Sequence, residues 1–76
     1  MDALTRTVAR AIAASPCSLR ALARTAGVSH VLLLGIRHGR RAATPAVALK
    51  VARALATWEA RCQRAANRIT RTLGDA

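Results

Sequence analysis

Between Leu22 and Ile36 a helix-stopping residue and a helix-starting residue stand almost side by side, so this stretch can fold only as two helices meeting at a tight corner. Gly27 supplies the left-handed backbone conformation that closes a helix without a Cβ penalty. Ser29, just beyond it, offers a hydroxyl to the first free amides of the next helix. Ala23 is small enough for the second helix to cross closely over the first. The expected helices are Leu19 to Ala26, capped by Ser18 and burying Leu22, Ala23 and Ala26, and His30 to about His38, ended by Gly39. On a helical wheel Leu33 and Ile36 face the rest of the chain, while His30, Val31, Leu34, Gly35 and His38 face the other way, with Arg37 at the flank.

The remaining chain reads as helix as well. Ala3 to Ala14 carries Leu4, Val8 and Ile12 as a buried stripe, with Asp2 as N-cap and Thr5, Arg6 and Arg10 directed elsewhere. Ser15-Pro16-Cys17 breaks it, because the residue before a proline disfavours helix. Thr44-Pro45 is a strong helix start, a capping hydroxyl followed by proline at the first helical position. From Pro45 to Leu73 no glycine or proline intervenes, and Val51, Leu55, Trp58, Cys62, Ala65 and Ile69 follow a heptad seam, the expected dimer interface. Lys50, Arg53, Arg61, Arg64, Arg68 and Arg71 fall within about 80° of one another, well away from that seam. Both stripes hold their direction through residues 56 to 60, which favours one long helix of roughly 40 Å. The alternative is a break near Thr57, with the last segment folding back onto the first helix as a fifth helix. The expectation is therefore an all-α protein of four or five helices: a domain over 1–56 and a basic amphipathic helix over 57–76. With one Trp and no Phe or Tyr, its core must be built from Leu, Val, Ile and Ala.

Charge narrows the function classes. The 76 residues include 13 Arg and Lys against 3 acidic residues, a net charge of +10, which should draw the chain to a polyanion, nucleic acid first. No apolar run approaches the ~18 residues of a membrane span, so no membrane is expected as partner. The opening residues are Arg-bearing and amphipathic, as transit peptides are, yet lead directly into the corner; Arg6 and Arg10 would break up a secretory signal. Cys17 and Cys62 stand in no metal-ligand spacing and are expected as reduced thiols, with neither metal nor cofactor. Catalysis has no foothold: the acids are Asp2, Glu59 and Asp75, neither cysteine has a histidine nearby in sequence, and no glycine-rich phosphate loop occurs.

The corner is a helix-turn-helix pattern, whose second helix commonly enters a DNA major groove. Ala23, Gly27, Val28, Leu33 and Ile36 at this spacing, joined to Ile36-Arg37-His38-Gly39-Arg40-Arg41 and the segment from Thr44 to Leu55, resemble the lambda-repressor/Cro-like helix-turn-helix family over Ser18 to Leu55, with the motif itself at 18–39. The resemblance implies a compact domain, usually dimeric, that reads operator DNA. It puts Ser29, His30, Val31, Leu34 and His38 towards base edges. Ser18 with the amides of its helix, Arg37, Arg40 and Arg41 would meet phosphates; the basic stripe itself points Arg61, Arg64 and Arg68 to phosphate. Two features depart from the family pattern. Leu19 stands where Gln is frequent, and the second helix offers Val31, Leu34 and Gly35 where hydrogen-bonding readers of guanine or adenine are usual. Val31 and Leu34 suit thymine methyls, and Gly35 suits close approach; DNA shape and backbone charge would supply the rest. The expected function is a small transcriptional regulator of bacterial or phage type, a homodimer on double-stranded DNA in the cytoplasm, associated with the nucleoid. The rivals are an architectural or packaging-type DNA-binding protein of low specificity, and an adaptor presenting Val31, Leu32 and Leu34 to a protein partner such as a polymerase subunit.

Overall fold

The computed structural model describes residues 2–75; the outermost positions of the two expected segments, 1 and 76, lie outside them. The described residues form four helices and no strand: α1 (Ala3–Ala13), α2 (Leu19–Ala26), α3 (His30–Arg37) and α4 (Pro45–Asp75). Each begins where a short polar side chain takes up free amides. Asp2 accepts from Thr5 N at 2.7 Å, Ser18 from Ala21 N at 3.1 Å, Ser29 from Val31 N at 3.1 Å and Leu32 N at 3.4 Å, and Thr44 from Val47 N at 3.2 Å.

The two middle helices end in the same way. At α2, Gly27 (φ 72°) lets Val28 N reach Ala23 O at 3.0 Å and Gly27 N reach Arg24 O at 3.3 Å. At α3, Gly39 (φ 76°) lets Arg40 N reach Gly35 O at 2.8 Å and Gly39 N reach Ile36 O at 3.1 Å. This paired closure satisfies carbonyls that would otherwise be orphaned and needs a positive φ at one residue. Between α2 and α3 the chain turns by 120°.

The core is Val8 and Ile12 of α1, Leu22 and Ala23 of α2, Leu33 and Ile36 of α3, Ala43, and Val51 and Ala54 of α4. α3 packs on α1 and α2, and these two pack in turn on α4. The corner residues bury as the sequence predicts, except that Ala26 is only partly covered. The first helix departs from expectation. Leu4 is 39% exposed, whereas Thr5 is 2% exposed and accepts a 2.9 Å hydrogen bond from Ala43 N. The loop before α4 closes over α1 one position round from the apolar stripe, so a side chain able to satisfy a buried amide takes the inner place. α1 also stops at Ala13 and α3 at Arg37, each a residue before its expected end.

α4 is a single helix of 31 residues, so the alternative of a fifth helix folding back is not what forms. Its first half lies on the core, but from Glu59 to Asp75 every residue is exposed. The projecting half draws the molecule out to 50 × 21 × 18 Å, with a radius of gyration of 14.7 Å. A compact chain of this length would have a radius near ~11 Å. No single helix among the described residues is long and apolar enough to cross a membrane.

Candidate nucleic-acid interface

Packing on both α1 and α2 buries Leu33 and Ile36 of α3 and leaves the opposite face outward. On that face Ser29 and His38 are exposed, Val31 is 68% exposed, and His30 and Leu34 are partly buried. Ser29 and His38 also end the helix: the Ser29 hydroxyl caps its start, and His38 N bonds to Leu34 O at 3.1 Å at its finish. Ser18 stands exposed at the N-terminus of α2, where the amides of the first turn carry partial positive charge. Leu32 belongs to the layer packed against the core. Val31 is therefore the one open member of the apolar patch Val31–Leu32–Leu34.

Arg37, Arg40 and Arg41 are all exposed at the C-terminal end of α3. The turn that carries them is fixed at both ends, by the Gly39 closure and by the bond from Ala43 N to Thr5. Arg41 does more than the sequence suggests. Its N bonds to Gly35 O at 3.2 Å, and its stem lies over Gly35, with Cγ 2.5 Å from where a Cβ on residue 35 would stand. Gly35 is thus spent on close approach by the aliphatic stem of Arg41. The linear order of residues does not signal this placement of Arg41 over Gly35.

The arginines of α4 form a second basic surface. Arg64, Asn67, Arg68 and Arg71 line one shallow groove. Arg61 instead lies over the Trp58 ring, its Cζ 5.0 Å from the ring centroid. By helical geometry the direction of Arg64, Arg68 and Arg71 is about half a turn from that of Val51 and Leu55. The stripe therefore faces away from α1, α2 and the α3 stacked on them. It does not share a side with the face of α3, although the sequence groups both as parts of one clamp.

The residues of the expected dimer seam separate into two sets. Val51 is 2% exposed within the chain's own core, and Leu55 and Trp58 pack against that core. Trp58 Nε1 donates to Thr25 Oγ1 at 3.0 Å, tying α4 to α2. Cys62 and Ala65 are exposed, and Ile69 is 64% exposed. Val51 is covered without a second copy, and only the distal members are open to one.

Among the titratable groups, Asp2 has its carboxyl held below the ordinary value of 3.8 by the Thr5 backbone N–H and then the Thr5 hydroxyl. Thr5 thus joins the start of α1 to the basic loop. Cys17 and Cys62 are free thiols, Cys17 within 3.2 Å of the Ser15 hydroxyl. No family model, no curated protein and no solved structure matches this chain.

Proposed function

We propose that the chain is a helix-turn-helix protein of lambda-repressor-like type that binds double-stranded DNA as a small regulator, with α3 in the major groove. One observation carries the reading. α2 and α3 meet at 120° across a glycine-closed corner, and the outer face of α3 is left open beside Arg37, Arg40 and Arg41. Two helices at roughly 90–120° joined by a short glycine-bearing turn are the geometry of this motif. The net charge of +10 supports a polyanionic partner. In this role Ser29, His30, Val31, Leu34 and His38 meet base edges, and Ser18, Arg37, Arg40 and Arg41 hold phosphates. Arg41 approaches α3 from the loop, its stem over Gly35. Arg64 and Arg68, facing another side, add a separate salt-sensitive surface that does not grip the same stretch of backbone.

The architectural reading has its own support in the 68% exposure of Val31 and the absence of Asn, Gln, Lys or Arg on α3 before Arg37. One experiment separates the two. Fluorescent duplexes, random or drawn from a selected pool, are titrated at about 50 and 200 mM salt, a range over which at least six phosphate contacts lower affinity ~10³-fold or more. A regulator keeps a large preference for the selected pool at the higher salt, whereas an architectural protein binds both pools alike. Absence of binding at either salt removes the DNA reading.

A further inference from the structure

We infer that the projecting half of α4 docks onto a second copy of this chain in antiparallel register, each copy's tip filling a groove at the base of the other's helix. The groove, of about 620 Å³, lies between the end of α1 and the side of α4. Its walls are Ala11, Ala14 and Pro16 on one side and Leu55, Cys62 and Ala66 on the other, with Glu59 among them. The same face of α4 runs on to Ile69 and Leu73, which are 64% and 72% exposed at the far end. Leu55, Cys62, Ala66, Ile69 and Leu73 share a direction within about 60°. Trp58, hydrogen-bonded to Thr25, is turned out of this face. The open stripe therefore lies slightly to one side of the seam that simple heptad counting selects.

Three features of the molecule select a second copy as the occupant. Area is the first. A globular chain of 8.0 kDa exposes about 4,450 Å², and this one exposes 5300 Å². The excess of roughly 850 Å² is close to the ~800 Å² that each partner contributes to a standard stable interface. Fit is the second: the tip carries two large open apolar side chains, Ile69 and Leu73, and the base carries an open groove lined mostly by small ones. Only the antiparallel arrangement brings tip to base, pairing Leu55 with Leu73 and Cys62 with Ala66 around a two-fold axis near Arg64.

Charge is the third. Glu59 is the sole acidic residue between Asp2 and Asp75. In antiparallel register the two Glu59 carboxylates lie about ten residues, roughly 15 Å, apart along the pair, whereas a parallel pair would set Glu59 against Glu59. Arg64, Arg68 and Arg71 point about half a turn away from the seam, so the two basic stripes face outwards and do not oppose each other. The two cores then lie about 40 Å apart along the pair, near the ~34 Å that separates successive major-groove faces.

Sedimentation equilibrium of the full chain without nucleic acid tests the association. The expected mass is twice 8.0 kDa at tens of micromolar. Ile69→Glu and Leu73→Glu should each return the mass to that of one chain while the helical circular dichroism is kept, since both side chains are exposed in the single chain. A single-chain mass for the unaltered protein into the millimolar range, or a mass unmoved by both substitutions, overturns the proposal. Oxidative cross-linking tests the register. In chains carrying C17S and C62S, Leu55→Cys and Leu73→Cys chains refolded together should join to each other, and neither should join to itself. Self-joining of either overturns the antiparallel register. No nucleic acid enters these measurements, so they succeed or fail independently of the DNA reading.

Discussion

The two halves of α4 share one helix, one apolar periodicity and one arginine stripe, yet the structure treats them differently. From Pro45 to Trp58 the apolar side is taken up by α1 and α2, with Val51 and Ala54 each 2% exposed. From Glu59 to Asp75 nothing is buried. A helical repeat states in which direction a side chain points. Burial depends on what other element lies in that direction, and only the first half has one.

The sharpest way to break this comparison is to shorten the same kind of side chain in each half. Val51→Ala removes two methyl groups from a closed core and should cost about 2–3 kcal/mol. In a domain of this size that lowers the melting temperature by roughly 10–20 °C. Ile69→Ala, melted at a dilution where chains are single, should stay within ~0.5 kcal/mol of the unaltered protein. Equal losses would show that the distal half is covered within one chain.

A smaller effect is expected at the seal between α1 and the basic loop. Thr5→Ala leaves the buried Ala43 amide without its acceptor and should cost about 1–3 kcal/mol in urea denaturation. Thr5→Ser, which keeps the oxygen, should recover most of that loss. A substitution at this single position thus reads out how firmly Arg40 and Arg41 are held beside α3.

The basic surfaces differ in a quantity that stability does not report. Arg37→Ala with Arg40→Ala should lower the salt-dependence slope of DNA binding by about 2, near 0.9 for each phosphate contact removed. Arg64→Ala with Arg68→Ala should leave that slope unchanged at one protein per site and weaken only the uptake of further DNA. A loss of slope from the second pair equal to the first would mean that both surfaces grip one duplex, against the half turn that separates the stripe from the packed side of α4.

The smallest expected effect concerns the start of α1. Because the Asp2 carboxyl is held below its ordinary value, the contribution of its ionised form is present above about pH 4 and is lost as pH falls through the lowered value. Thermal melts between about pH 5 and pH 2 should decline in that direction, and Asp2→Asn should flatten the part of the decline due to this cap.

Sequence by itself determined the first three helices and the start of the fourth to within a residue, while it left open whether the stretch from Pro45 to Leu73 forms one helix or two. The reason is that Asp2, Ser18, Ser29 and Thr44 act on amides two or three positions away, and Gly27 and Gly39 on carbonyls within the last turn. Such bonds are complete within a few residues of chain, so the linear order carries them. It also placed Leu33 and Ile36 together on the inner face of α3, since the 100° step sets them on one side and the equally apolar Val31 and Leu34 on the other. Tertiary structure alone decided that Thr5 lies inside and Leu4 outside, that Trp58 turns to Thr25, that Arg41 lies across Gly35, and that the arginine stripe faces away from α3. Each of those depends on how elements distant in sequence cross. A helical repeat fixes an apolar direction only to within several tens of degrees, and the neighbour that arrives there chooses between adjacent side chains.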